Sequence, residues 1–275
     1  VSLEIDGIEV SSTSAYTWNT VTTMDGSHEI KLSAVDTVKN SASTSINVIV
    51  DNTPPIIQLS PPNGTEFYSD QNLTIDYNIT DATSGIAASS ATLDDTVVSK
   101  GDIIDLRNIS IGSHVIKVTA TDNAGNSAEL STTFIVKPLQ AILDIEPRTL
   151  NINSSGRWIQ VEIQIPGYYA YQIEVYSIRL NEVISVELKT SEIEEEDRNK
   201  DDSDSKLKVK FNRTEVQSIV TSGNVNLYIS GKVNGATFMG NNTIRVIENP
   251  EKYSDHSEKD PEKNIGNDRG KGNEK

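Results

Sequence analysis

The feature that most constrains this chain is an internal repeat. Residues 26–51 read GSHEIKLSAVDTVKNSASTSINVIVD and residues 112–137 read GSHVIKVTATDNAGNSAELSTTFIVK. The two stretches align without a gap at an offset of 86, with 13 of 26 positions identical. A period of this size means that one supersecondary unit is used twice. Ile30, Leu32 and Ala34 alternate with polar residues, as do Ile116, Val118 and Ala120. Period two predicts a half-buried strand. A turn follows at DNAGN (122–126), where Gly125 can take a positive φ. A second strand returns, matching Val48 and Val50 to Phe134 and Val136. Each repeat therefore ends in a β-hairpin.

Upstream of the second hairpin, NLTIDYNIT turns Leu73, Ile75, Tyr77 and Ile79 inward and Asn72, Thr74, Asp76, Asn78 and Thr80 outward. Short strands at intervals of about ten residues, separated by Gly, Pro, Asn and Asp, predict antiparallel sandwiches. Residues 141–248 continue the pattern with seven or eight further strands, and NRTEVQSIV before Gly223 predicts one short helix. The fold class expected is all-β. It divides into a truncated first module (1–52), a complete second module (53–137), a third β-sandwich (138–249) and a disordered charged tail (250–275). The tail mixes seven acids with six bases and carries almost no apolar residues. It cannot offset its ordering entropy by burial.

Composition excludes several functions. With 24 Lys and Arg against 40 Asp and Glu, the net charge is −16, which repels nucleic acid. There is no Cys, and the three His (His28, His114, His256) are scattered. That removes disulfides, thiolate chemistry and a His-based zinc site. No run approaches the ~18 apolar residues of a membrane helix. No G-x-S-x-G or H-E-x-x-H motif occurs. His28 and His114 are equivalent in the repeat, and a strand-start packing role fits that better than catalysis. The chain reads as non-enzymatic. Residues 1–137 carry 17 acids and 6 bases, so the repeats are the acidic part. Self-repulsion there favours solubility and an extended rod.

The stretches LEIDG, YTWNT, DGSHEIKLSAVD, VDNTPPI, DATSGI and GSHVIKVTATDNAGNSA resemble the tandem bacterial and archaeal immunoglobulin-like modules of surface proteins and adhesins. The resemblance covers residues 1–137. It implies an extended, extracellular or cell-surface array of β-sandwiches without catalysis, with other surface proteins or glycans as partners. Pro54 and Pro55 stiffen the junction between modules. Asp36, Asp51, Asp81 and Asp122 lie in or near loops of the kind that bind Ca²⁺ between modules in some related adhesins; capping of turns is their simpler role. LDIEPRTLNINSSGRWIQVEIQIP and LKVKFNRTEVQSIV are similar to a domain near the C-termini of secreted archaeal and some bacterial proteins. In that family an acidic Ca²⁺-type loop precedes the VKF strand. Here Asp201, Asp202 and Asp204 stand in that stretch, but the loop Gly is missing and Lys200 and Lys206 replace acids. A solvated acidic loop is the plainer alternative.

Four further expectations remain. Tyr168, Tyr169 and Tyr171 follow an IPG loop and could stack on sugar rings or pack the loop. Trp18 is expected to pack in a core or plug a strand edge, and Trp158, which opens an alternating strand, to pack in the third core. N-glycosylation sequons occur at Asn63, Asn72, Asn78, Asn108, Asn153, Asn212 and Asn241. Finally, the chain begins at Val1 inside a strand pattern, as a processed protein or a fragment does, and its first repeat lacks counterparts of residues 56–60 and 72–80. Ile30, Leu32 and Ala34 should then be partly uncovered, and 1–52 the least stable part. Besides a structural or adhesive stalk, an accessory region of a larger secreted hydrolase or protease, able to bind carbohydrate, fits the same features.

Overall fold

The computed structural model describes residues 1–188 and 205–248. Across these residues the chain is almost wholly β, arranged as several sheets of a multi-domain β-sandwich protein. The acidic stretch with Asp201, Asp202 and Asp204, and the tail 250–275, lie outside the described residues.

The first repeat is one antiparallel sheet. Strands β1 (Ser2–Ile5), β2 (Ile8–Ser11), β3 (Gly26–Val35) and β4 (Ser41–Val50) stand in the order β2-β1-β3-β4. Asp6 and Gly7 make the β1–β2 turn with φ of 48° and 77°. Two positive φ values in a two-residue loop match the right-handed twist of the flanking strands. One face of the sheet collects Ile5, Ile8, Ile30 and Ile46 in a row across all four strands. Only Ile5 in that row is buried; Ile46 is 61% exposed.

The second repeat elaborates the same frame. It runs β5 (Ile56–Ser60), β6 (Thr65–Tyr68), β7 (Asn72–Thr74), β8 (Asp76–Thr80), β9 (Ile86–Leu93), β10 (Thr96–Val98), β11 (Ile103–Asp105), β12 (Gly112–Asp122) and β13 (Ser127–Lys137). The main sheet has the order β10-β9-β12-β13-β6, with β6 parallel to β13. Smaller pairs, β5 with β8 and β7 with β11, complete the unit. The segment NLTIDYNIT is thus two strands with different partners, broken at Ile75. Leu73, Ile75, Leu93, Leu106, Ile116, Phe134 and Val136 form the core, and Leu59 and Tyr77 pack against it. Ile116 is wholly buried while its repeat counterpart Ile30 is only half-buried, because nothing equivalent to β5 and β8 lies over the first sheet among the described residues.

The third unit contains β14 (Leu139–Gln140), β15 (Ile142–Glu146), β16 (Thr149–Asn151), β17 (Trp158–Gln164), β18 (Ile173–Leu180), β19 (Ile184–Ser185), β20 (Leu207–Asn212), β21 (Gly223–Val233) and β22 (Ala236–Ile247). A three-stranded sheet β15-β17-β20 faces one built on β14-β22-β21-β18-β19, in which β16 also pairs with β22. Eight of these described strands, β15 to β22, lie within residues 141–248, in line with the seven or eight expected there. The short helix is present as α1 (Arg213–Ile219); Asn212 caps it by accepting from the Thr214 and Glu215 N–H groups. The core is the largest in the chain and includes Ile159, Val161, Ile163, Ile178, Phe211, Leu227 and Phe238. Trp158 is not in it. Its ring is half-buried at the strand start, with the Arg157 guanidinium 4.7 Å from the ring centroid.

Candidate functional site: the acidic junction between the repeats

Asp122 ends β12 and opens the hairpin turn. Its Oδ1 accepts from the Ala124 and Asn126 N–H groups at 2.9 Å each, and its Oδ2 from the Asn126 side-chain amide at 2.9 Å. Asp36 does the same in the first repeat, with Val38 N at 2.9 Å, Asn40 N at 2.8 Å and Asn40 Nδ2 at 2.8 Å. The D-x-x-x-N spacing is therefore a self-capping turn made twice. Burial works to raise the Asp122 carboxyl, but the Asn126 side chain and the turn N–H groups hold it below the ordinary carboxylate range. The Asn40 side chain and backbone hold Asp36 low in the same way.

Asp51 leaves β4 and enters the linker, and it is buried at 8% exposure. Its Oδ1 accepts from Thr53 N at 3.1 Å. Its Oδ2 reaches into the second repeat, accepting from Ser84 N at 3.1 Å and Ser84 Oγ at 2.5 Å. Its carbonyl accepts from the Asn126 amide at 3.0 Å. Asp81 follows β8 and caps its own loop, accepting from Thr83, Ser84 and Gly85 N–H groups at 3.2, 2.9 and 2.7 Å. Asn123 closes the cluster by donating its side-chain amide to the Ser84 and Gly85 carbonyls at 2.7 and 3.2 Å.

Carboxylate oxygens of Asp51, Asp81 and Asp122 thus lie within 4.8 Å of one another. Ca²⁺ takes six to eight oxygens at ~2.3–2.6 Å, so oxygens on one ion can be up to ~5 Å apart. The three carboxylates fit that separation and would supply part of the shell. Both the capping role and the loop placement expected of Asp51, Asp81 and Asp122 are met; Asp36 caps its own turn, away from the cluster. The offset of 86 carries Asp51 onto Lys137, so the second junction has a base where the first has an acid. Lys137 there pairs with Glu66.

The second junction is held by other groups. Ser69 Oγ donates to the Thr237 carbonyl at 2.8 Å, and the Tyr168 hydroxyl donates to Asp70 Oδ2 at 2.8 Å. Burial first, then Asp70, pushes the Tyr168 hydroxyl above its ordinary value. Tyr168 therefore spans second and third units, while Tyr169 and Tyr171 stack with ring centroids 5.5 Å apart and 10° between planes. Tyr171 is 72% exposed. Asn63, Asn72, Asn78, Asn108, Asn153 and Asn241 are exposed; Asn212 is half-buried. Among the described residues, no helix is long and apolar enough to cross a membrane.

Tandem β repeats joined through a hydrogen-bonded acidic linker define a modular, all-β class of protein. The family model described as bacterial Ig-like domain (group 3) matches residues 12–114, a stretch that starts in the first repeat, crosses the Asp51 junction and ends at His114 in β12. No curated protein matches the chain. Similar solved structures include Sidekick-1 immunoglobulin domains 1–5, with 11% identity and a TM-score of 0.33 over 90% of this chain and 53% of that one. A second is the Bacteroides ovatus mixed-linkage glucan utilization locus protein SGBP-B in complex with a mixed-linkage heptasaccharide, at 15% identity, TM-score 0.28, and 72% and 48% coverage. A third is a Ca²⁺-stabilized adhesin with which an Antarctic bacterium binds ice, at 12% identity, TM-score 0.25, and 90% and 65% coverage. The chain spans about half to two thirds of the length of these structures.

Proposed function

We propose that this chain is a non-catalytic spacer and adhesion segment of a surface protein, in which immunoglobulin-like modules are fixed end to end. The observation that carries this reading is the linker carboxylate: Asp51 is buried at the junction and bonded to Ser84 of the next repeat. A free hinge between independent domains is exposed, polar and few in contacts. A linker residue hydrogen-bonded on both sides instead keeps two modules in line, which suits a stalk. Ca²⁺ at Asp51, Asp81 and Asp122 would stiffen the same junction by offsetting three neighbouring negative charges. Modules 1–52, 53–137 and 138–249 are the working units of this reading, and its site of action is the cell exterior. Small-angle X-ray scattering of the full chain tests it. The reading requires Asp51→Ala to broaden the distance distribution and reduce the maximum dimension; an unchanged profile contradicts it.

A second reading rests on the stacked Tyr169–Tyr171 pair, whose outer ring is open to solvent. Flat exposed aromatics pack against sugar rings, as the accessory region of a secreted hydrolase requires. Binding of the full chain to a panel of soluble polysaccharides, lost on Tyr171→Ala, supports that role; no binding to any of them removes it.

A further inference from the structure

Both repeats contain one histidine whose two ring nitrogens face acceptors. His28 Nδ1 lies 2.6 Å from Asp6 Oδ2 and its Nε2 lies 2.8 Å from the Met24 carbonyl. His114 Nδ1 lies 2.6 Å from Asp94 Oδ2 and its Nε2 lies 2.8 Å from the Ser110 carbonyl. The other carboxylate oxygen is also used alike: Asp6 accepts from Glu29 N at 3.0 Å and Asp94 from Val115 N at 2.9 Å. Both rings are largely covered, with side-chain exposures of 12% and 6%. A neutral imidazole has one N–H and one lone pair. Set between a carboxylate and a carbonyl, it would turn that lone pair on an acceptor. Only a ring with two N–H groups satisfies both partners.

We propose that His28 is a proton-operated latch. A doubly protonated imidazole ties the hairpin turn carrying Asp6 to the loop that leads into the long strand, at Met24; His114 has the equivalent two partners, Asp94 and Ser110, in the second repeat. Loss of one His28 ring proton must open one of its two bonds. The carbonyl contact is the weaker, being neutral on the acceptor side, so the loop is what comes free. In the first repeat that loop also carries Trp18, whose ring meets His28 edge-on at 5.4 Å. In the second repeat the ring packs against Phe134 at 5.4 Å. The charged group facing each ring is its own aspartate. From β4 and β13 the rings meet Val48 and Phe134, both apolar. Asp25, beside Met24, is occupied by Asn52 N and Thr53 Oγ1. Glu29 and Val115, next along the strands, alternate to the opposite face.

The sign of the pH dependence follows. Asp6 first, then the Met24 carbonyl, raises His28 above its ordinary value against the effect of burial. A raised folded value means that the latch is fully closed below ~6.5 and is lost as pH rises through the higher folded value. Asp6 is lowered, chiefly by His28, so the acid-side loss comes only as pH falls below ~3.9 towards the depressed folded value. Between ~6.5 and the raised folded value of His28, the opening equilibrium of the loop rises by up to about tenfold per pH unit, and above that value it levels off.

Long-range ¹H–¹⁵N spectra of the full chain between pH 5.5 and 9 test the proposal. The expected result is that His28 keeps protons on both ring nitrogens to a pH above its ordinary ~6.5. Loss of one ring proton at or below ~6.5 overturns it. Amide exchange of residues 19–25 from pH 6 to 9, corrected for intrinsic exchange, adds a second readout. Protection should fall as the His28 ring titrates, and Asp6→Asn should move that midpoint down towards ~6.5. A midpoint unmoved by Asp6→Asn contradicts the latch. Should Asp6→Asn fail to fold, the ring-nitrogen spectra of the unaltered chain still decide.

Discussion

Lys39 in the first repeat occupies the position that Gly125 holds in the second. Both sit in the left-handed region, Lys39 with φ of 72° and Gly125 with φ of 97°. The two turns are otherwise alike: Asp36 N bonds to Asn40 O at 2.9 Å, and Asp122 N to Asn126 O at 3.0 Å. A residue with a Cβ pays ~1–2 kcal/mol for this conformation, and glycine returns part of that gain as chain entropy. Lys39→Gly should therefore stabilise the first repeat by ~0.5–1 kcal/mol. Chemical denaturation followed by Trp18 fluorescence checks it; a loss of stability would show that the Lys39 side chain has a role the turn geometry does not suggest.

The uncovered face of the first sheet sets a second expectation. Ile30 and Ile116 are repeat counterparts, one half-buried and one at 0% exposure. Truncating a fully buried isoleucine costs ~2–5 kcal/mol, through lost transfer energy and the cavity left behind. Ile116→Ala should fall in that range and Ile30→Ala at ~1 kcal/mol, in proportion to the area removed from water. Equal costs, measured by denaturation of each variant, would mean that the first sheet is covered in solution. The same comparison by amide exchange should find 1–52 less protected than 56–137.

Much of this was legible in the chain, and the failures have physical causes. The gapless repeat located both hairpins, and loop position gave the capping role of Asp36 and Asp122. That Asp51 and Asp81 join Asp122 was visible only as loop membership, because the contact links turns far apart in sequence. His28 and His114 do pack at their strand starts, against Trp18 and Phe134, but their aspartate partners were not visible. The aspartate repeats at an offset of 88 rather than 86, so the pair falls out of alignment in Asp6 and Asp94. Trp158 was expected in the third core because it opens an alternating strand. At the strand's first position, Arg157 and solvent cover its ring instead. Tyr168 looked like its neighbours, but its partner Asp70 belongs to another unit, which local patterns cannot reveal.

Acid should loosen both turns. Asp36 and Asp122 are held below ordinary carboxylate values, so their contribution is present above ~3.9 and disappears as pH falls through the depressed folded values. Thermal melts between pH 6 and 2 should be flat on this account until about pH 4 and then decline. Asn126→Ala, which removes the second repeat's side-chain donor, should move the decline to higher pH; an unchanged profile would rule out the turn as its source.

Calcium gives a separate expectation. Addition of millimolar Ca²⁺ should raise the melting temperature of the full chain and EDTA should reverse the gain. Ligand binding to the native state alone stabilises by ~2.7 kcal/mol at a hundredfold excess over Kd. Asp81→Asn should abolish the gain. A gain that survives Asp81→Asn would move the ion away from the junction.

The second junction rests on Tyr168 and Asp70. A hydrogen bond to a charged group contributes ~1.5–3 kcal/mol, less where solvent reaches it. Tyr168→Phe should weaken the coupling between second and third units by ~1–2 kcal/mol, seen as separation of two unfolding transitions. A single cooperative transition in the variant would locate the coupling elsewhere, at Ser69 and Thr237.

The central claim is that Asp51 makes the first two repeats move as one body. ¹⁵N relaxation of the full chain tests this most directly, by giving a tumbling time for residues 26–50 and another for residues 112–137. The account predicts equal tumbling times that separate on Asp51→Ala, with the first repeat becoming faster. Unequal times in the unaltered chain, or equal times in the variant, would contradict it.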